Sequence, residues 1–453
     1  MKYKFFVITI VCVLLFTACG GAGPSQPATK PPEVPTVASV EATIAPTVAQ
    51  EAPTAAAEVV EISCLMWGDP AELEVWQQIV DGFQAANPNI KVNVDVSGWD
   101  GYWEKLKTLF AGNTPPDIFV MDGPLFQDWY SRGVLLNLQP YIDATPGFLD
   151  GFYPQALQNY KTPDGYYGMP RDFQTVVMFY NKDMFDAAKI PYPTADWTYE
   201  DFRRIAKELT KDTNGDGTIE QWGFGTDLWD MELFWSEAIW AYGGDIISAD
   251  LTKTLIGEPK ARDAWHLIAD MHKDGSIPSP DTAAQFGGDL FQPGAAAMWP
   301  IGHWAVPSYS EVNFKFDVVP MPKGPAGQAT SVNSAGFVVA KDAKNPDAAW
   351  EFIKYAMGPD GQTKLAELGF AIPVLKSIAE SPAFLNQKGP AINQQVFLDS
   401  IKFAHVKPSF KGYEQWATVV GDGLLPVWNG LQEIDPTLDE VVPAADEVLT
   451  QNK

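Results

Sequence analysis

Cysteine is nearly missing from this chain of 453 residues, which has three: Cys12, Cys19 and Cys64. Cys12 lies inside an apolar N-terminal run and Cys19 ends it. Cys64 is therefore alone in the body of the chain, which excludes an intramolecular disulfide there. Set in "EISCLMW", it reads as a small buried hydrophobe. Histidine is almost as scarce: the four present form no close ligand cluster. The G-x-S-x-G, H-E-x-x-H and P-loop patterns are also missing, which weighs against an enzyme without excluding one. Basic residues are few, 31 Lys and Arg against 57 Asp and Glu, for a net charge of −26. Such a surface repels phosphate backbones, so nucleic acid is not an expected partner. Beyond the N-terminus no apolar run approaches the ~20 residues that a bilayer crossing needs. No internal repeat is evident.

What is present begins with an export signal. Lys2 and Lys4 precede an apolar run from Phe5 to Phe16, broken only by Thr9. It is too short to span a membrane and has the length of a signal-peptide core. Small Thr17 and Ala18 lead to Cys19. This arrangement resembles the bacterial lipoprotein signal, with Phe16 where that pattern prefers Leu. The resemblance implies cleavage of residues 1–18 and lipidation of Cys19, giving a protein held by acyl chains on the extracytoplasmic side of the cell membrane. An ordinary secretory signal or an anchor helix is the alternative. Residues 20–58 contain seven prolines and no aromatic side chain. They cannot bury enough apolar surface to offset the entropy of ordering, and they read as an extended tether.

The remaining chain, from about residue 59, exceeds one ordinary domain, so two lobes are expected. "VVEISCLMW" (59–67), "IKVNVDV" (90–96) and "DIFVM" (117–121) read as strands. A helix starts at Asp69–Pro70, with Asp69 as N-cap, Glu72 placed for a capping box, and Leu73, Trp76, Ile79, Val80 and Phe83 on one apolar face. A second helix covers 102–112. Strands alternating with helices point to an α/β fold with a parallel sheet. Ligands of such sheets bind at the carboxyl ends of the strands, here Trp67–Gly68–Asp69 and Met121–Asp122–Gly123. Further helices are expected over 194–209, 232–245 and 260–275, with a strand at 316–322.

Several stretches together carry a family resemblance: "PPDIFVMDG", "YGMPRDFQTVVMFYNKDMF", "DTNGDGTIEQWGF", "WAYGGD", "FQPGAAAMWPIGHWAV" and "NSAGFVVAKDAKNPDAAWEFIKYAM". In order and spacing, residues 59–451 resemble the family 1 extracellular solute-binding proteins of ABC importers, which are maltose-binding-protein-like. The resemblance implies a two-lobed periplasmic-binding-protein fold with a ligand cleft between lobes joined by hinge crossings. The crossings would fall near 167–172, 298–304 and 334–341. Lobe one would comprise 59–168 and 299–340, and lobe two 169–298 and 341–453. It also implies a monomer that captures a sugar or oligosaccharide and delivers it to permease subunits. Same-fold binding of a polyamine, peptide or glycerol phosphate ester is the runner-up, and a surface glycosidase the reading from another class.

A sugar needs directed hydrogen-bonding groups for its hydroxyls and a flat aromatic face for its C–H patches. The candidates at strand ends and crossings are Trp67, Asp69, Asp122, Arg171, Asp172, Trp229, Trp235, Trp240, Trp299, His303, Trp304 and Trp416. Asp69 has a second reading as a helix cap alone, Arg171–Asp172 as a structural pair, and Trp416 as core. Gly302 leaves room for a ring to pack against the backbone. "DTNGDGTIEQWG" matches the first half of an EF-type loop: Asp212, Asn214, Asp216, Thr218 and Glu220 take positions 1, 3, 5, 7 and 9. Gly223 occupies position 12, where a bidentate Glu belongs. No cofactor is required, and a structural Ca²⁺ is the one ion the sequence points to; an Asx-rich turn is the alternative. The lipoprotein reading is checked with globomycin, which should make a chain retaining residues 1–18 accumulate; unchanged size would overturn it.

Overall fold

The computed structural model describes residues 59–452, so Cys19 and the tether lie outside the described residues. Strands are numbered in chain order. β1 (Val60–Trp67) pairs in parallel with β2 (Ile90–Ser97) on one side and β3 (Ile118–Asp122) on the other. Its side chains alternate: Ile62, Cys64 and Met66 enter one core, and Leu65 enters another on the opposite face. β3 is buried throughout, as expected of a strand covered on both faces. Helix α1 (Pro70–Ala86) covers one face with Val75, Trp76, Ile79, Val80 and Phe83. Helix α2 (Trp99–Ala111) covers the other with Tyr102, Trp103 and Leu106. Leu73, expected on the apolar face of α1, is exposed, and Val75 takes its place, because the helix rolls to set Val75 and Trp76 side by side against the sheet.

After a small hairpin of β4 (Lys161–Thr162) and β5 (Gly165–Tyr166), the chain runs through β6 (Met169–Pro170), β7 (Gln174–Thr175) and β8 (Val177–Asn181). Each belongs to a different sheet. β6 is the last strand of the first sheet, whose order is β2-β1-β3-β12-β6. β12 (Ala335–Val339) lies antiparallel to β3. β8 is the centre of an antiparallel sheet between β9 (Met298–Ile301) and β10 (Phe316–Val319). Val177 and Phe179 face one core; Met178 and Tyr180 face another. β7 joins β11 (Thr330–Asn333) and β13 (Ala404–Val406) in a three-stranded ribbon between the two.

These pairings correct the expected lobe boundaries. β9 and β10, assigned to lobe one by 299–340, flank β8 in the second sheet. Helices Pro346–Met357 and Pro359–Glu367, assigned to lobe two by 341–453, pack on α1. Only the last helices, Tyr413–Trp428 and Ile434–Gln451, join lobe two, against Pro259–Lys273.

The return to the first sheet takes one residue. Ser334 separates β11 from β12 and is held from several sides. Its carbonyl accepts from Tyr160 Oη (2.6 Å) and Gly123 N (3.1 Å), and its Oγ donates to the Ala156 carbonyl (3.0 Å). Gly123 admits this approach because it has no side chain: a Cβ there would lie 2.2 Å from Asn159 Nδ2. No helix among the described residues is long and apolar enough to cross a membrane.

Candidate functional site

The end of β1 delivers Trp67, and the end of β3 delivers Asp122. The first crossing supplies Arg171, Asp172 and Gln174, the ribbon supplies Asn333, and the turn after β9 supplies Trp304. With Asp230, Glu232 and Lys407 they line a cavity of about 560 Å³. It adjoins a second of about 540 Å³, and the two share Trp99, Asp100, Asp122, Trp229, Asp230 and Lys407. Trp67 stands edge-on to Trp99, with ring centroids 5.0 Å apart. Trp99 and Trp229 are the most exposed tryptophans at the site. The Trp304 ring lies directly over Gly302, where a Cβ would come within 1.8 Å of it. Glycine is therefore required at 302 for this ring position.

Two buried ion networks form the floor. Arg171 Nη2 donates to Glu72 Oε1 (2.6 Å), and its Nε lies 3.1 Å from Asp172 Oδ2. That N–H does not point at the oxygen, and both atoms lack a hydrogen-bond partner. The guanidinium also sits 5.0 Å from the Trp76 ring and 5.4 Å from that of Trp67. Glu72 thus serves the cleft rather than a capping box. Asp69 caps α1 alone, accepting from Glu72 N at 2.8 Å. In the second network Lys407 Nζ contacts Glu232 Oε2 (2.9 Å) and Asp230 Oδ1 (3.2 Å), and Asn333 Nδ2 donates to Asp122 Oδ1 (2.7 Å). Burial pushes Glu72 and Glu232 up to about 7 and Asp172 up to about 6, with Arg171 or Lys407 pulling each back. Burial also raises Asp122. Behind this floor Glu237, fully buried, accepts from Ser331 N and Phe234 N, each at 3.1 Å, and burial pushes it up to about 8.

Trp67, Asp122, Arg171, Asp172, Trp229 and Trp304 thus meet in one cleft. Asp69 stands outside it, in a neighbouring hollow where Ser308 donates to it at 3.1 Å. Trp235 and Trp416 border the 540 Å³ cavity but are buried, Trp416 donating to Thr254 Oγ1 at 2.9 Å. Three expected residues are corrected. Trp240 stacks on His405 and donates to Asp245. Trp299 is core, packed on Gly225. His303 is fully buried, with Nδ1 donating to the Phe370 carbonyl at 3.2 Å and burial pushing its ring down to about 4. The turn after β9 sends residue 304 to the cleft and residue 303 inward, so the two neighbours part.

Sequence reasoning missed Glu72, Trp99, Asp100, Gln174, Asp227, Asp230, Glu232, Asn333, Phe370 and Lys407. Trp99 had a signal, since it follows the carboxyl end of β2 as Trp67 ends β1. Lys407 had none, because only the ribbon brings it across.

In the 212–220 loop, oxygens of Asp212, Asp216 and Glu220 lie within 4.8 Å of one another. They also serve the loop itself. Asp212 accepts from Gly215 N (2.6 Å) and Gly217 N (2.7 Å), Asp216 from Thr218 N (2.8 Å), and Glu220 from Thr213 N (2.8 Å) and Asn214 Nδ2 (2.9 Å). Gly223 cannot become the missing Glu, since a Cβ there would fall 1.7 Å from the Ala206 carbonyl oxygen.

Residues 67–363 match the family described as bacterial extracellular solute-binding protein. The chain belongs to that family. The family binds solutes rather than transforming them, so the glycosidase alternative falls. A binding protein of Brucella abortus (strain 2308) is 27% identical over 384 residues, 83% of this chain and 89% of its own. The galactooligosaccharide-binding protein of Bacillus subtilis (strain 168) is 23% identical over 84% of this chain and 88% of its own. Among solved structures, an ABC substrate-binding protein of Listeria monocytogenes in complex with cycloalternan superposes with TM-score 0.79 at 27% identity, covering 87% of this chain and all of that one.

Glu237 gives the solute-binding protein a defined pH dependence. Its carboxyl keeps a proton in the folded state up to about pH 8, whereas its ordinary value is 4.5. Stability therefore falls as pH rises through that window. Below about pH 6.5 the buried His272 and His303, both pushed down to about 4, act in the opposite sense. Urea unfolding is expected to lose about 1–2 kcal/mol between about pH 6.5 and about pH 8 from Glu237 alone. Glu237→Gln should flatten that slope; an unchanged slope would show the carboxyl to be ionised when folded.

Proposed function

We propose that the protein captures a carbohydrate in the cleft between its lobes, outside the cytoplasm, and hands it to the permease of an ABC importer. The observation that carries this reading is the ring of Trp67, Trp99, Trp229 and Trp304 around buried polar groups. Indole faces suit the C–H patches of a sugar ring, and the Asp122, Asn333 and Gln174 side chains suit its hydroxyls. Two adjoining cavities, each in the size range of small-molecule sites, favour more than one ring. Relatives named for galactooligosaccharide and maltotriose, and the cycloalternan complex, point the same way.

In this proposal Cys19 carries the lipid anchor, residues 20–58 space the lobes from the membrane, and the chain acts as a monomer. A Ca²⁺ held by Asp212, Asn214, Asp216, the Thr218 carbonyl and Glu220 would brace lobe two. Chelation with EDTA should then lower the melting temperature of the unsubstituted protein and not that of Asp212→Ala/Asp216→Ala. No response to EDTA makes the loop a turn stabilised by its own hydrogen bonds.

Ligand identity is tested by a thermal-shift screen of mono- and oligosaccharides, amino acids and polyamines, since a ligand selective for the folded state raises its melting temperature. With a saccharide in hand, Trp304→Ala is expected to weaken it roughly tenfold to a hundredfold, about 1–3 kcal/mol, with near-normal stability of the free protein. Gly302→Ala, which displaces the ring, should do the same. Normal affinity together with a large loss of stability would remove Trp304 from the site.

A further inference from the structure

The 560 Å³ cavity is lined by seven carboxyl side chains and two cations. Both cations are already engaged: Arg171 with Glu72 and Asp172, and Lys407 with Glu232 and Asp230. Neither has charge left for an anionic cargo. The carboxyls of Asp100, Asp122 and Asp227 have no cation within ion-pairing distance among the described residues. The free hydrogen-bonding capacity of the floor leans the same way. Asp172 Oδ2 and Gln174 Oε1, on residues 98% and 93% buried, are acceptors without a donor. Among the residues that line the cavity, Arg171 Nε is the one unused buried donor. A neutral hydroxyl brings one donor and no charge. An ammonium brings three donors and a positive charge, and the exposed indole faces of Trp99 and Trp229 attract cations as well as C–H patches.

We infer that the cargo is a saccharide bearing at least one free amino group, whose ammonium is held by the unpaired carboxyls of Asp122 and Asp227 while tryptophans cover its rings. This rests on the carbohydrate reading and narrows it. The runner-up cargo with the opposite charge, a phosphate ester, has no partner in this cleft. Burial raises Glu72, Asp172 and Glu232, as expected of carboxyls that gain from a cation brought into the same space.

The test is calorimetry on matched sets that differ only in the group carried at C2 of each ring. One set is cellotriose, its 2-amino counterpart triglucosamine, and the N-acetylated triglucosamine. The others are glucose with glucosamine and galactose with galactosamine, and spermidine is a control. In the best-bound set the free amine should bind at least about tenfold more tightly than the hydroxyl or acetamide, about 1.4 kcal/mol. Asp227→Asn should shrink that preference by weakening the amine more than the neutral member; an unchanged preference would overturn the assignment of Asp227. Neutral or acetylated members binding as tightly as the amines would overturn the inference and leave the carbohydrate reading standing. Spermidine binding without any saccharide would overturn both. Silence from every probe overturns the inference, because an ammonium alone should gain affinity here.

Discussion

One fully desolvated guanidinium organises this molecule. Arg171 leaves the first sheet at its last strand and enters the space where the lobes meet. Removing its charge from water costs several kcal/mol unless partners surround it. Glu72, Asp172 and the rings of Trp67, Trp76 and Phe370 are those partners. They come from four pieces of the fold: α1, which supplies Glu72 and Trp76, the crossing itself, the end of β1 and the loop after the 359–367 helix. Their positions become interdependent. A helix start that could have used Glu72 for its own cap gives that carboxylate up, and Gly68 carries no side chain where a Cβ would lie 2.7 Å from Glu72 Oε2.

The same economy recurs across the cleft. Lys407 arrives after β13, far along the chain from Asp230 and Glu232, and its ammonium is the only cation within reach of them among the described residues. Asn333 then ties Asp122, at the end of β3, to this second group. Charges that would be costly singly are tolerated as a connected set. The aromatic side chains sit around these sets, so the polar floor is walled by stacking surfaces.

Much of the fold was legible because its signals are local. Continuous apolar strands, an Asp-Pro helix start and the alternation of strand with helix need no distant contact to be read. The site was legible where a residue stands at a strand end or crossing, as with Trp67, Asp122 and Arg171. It was not legible where burial decides. Trp240, Trp299 and His303 carry suitable chemistry, yet each is buried in the core, and sequence spacing cannot tell the cleft side of a short turn from the core side. Lobe boundaries failed for a related reason. Helices 346–357 and 359–367 follow the last crossing in sequence, but their apolar faces match α1, and packing rather than chain order sets where they lie.

Ser334 has a mechanical meaning. The crossing between β11 and β12 is one residue long, and that residue is bonded through both its carbonyl and its hydroxyl. A link so short and so firmly held has no slack to pay out. The lobes cannot draw apart along it; they can only turn about it. Opening of the cleft is then a rotation with its pivot at the floor and its largest displacement at the mouth. The tryptophans at the rim travel furthest, while the Asn333–Asp122 contact beside the pivot hardly moves. Cargo would meet a fixed polar floor first, and the aromatic walls would swing in afterwards.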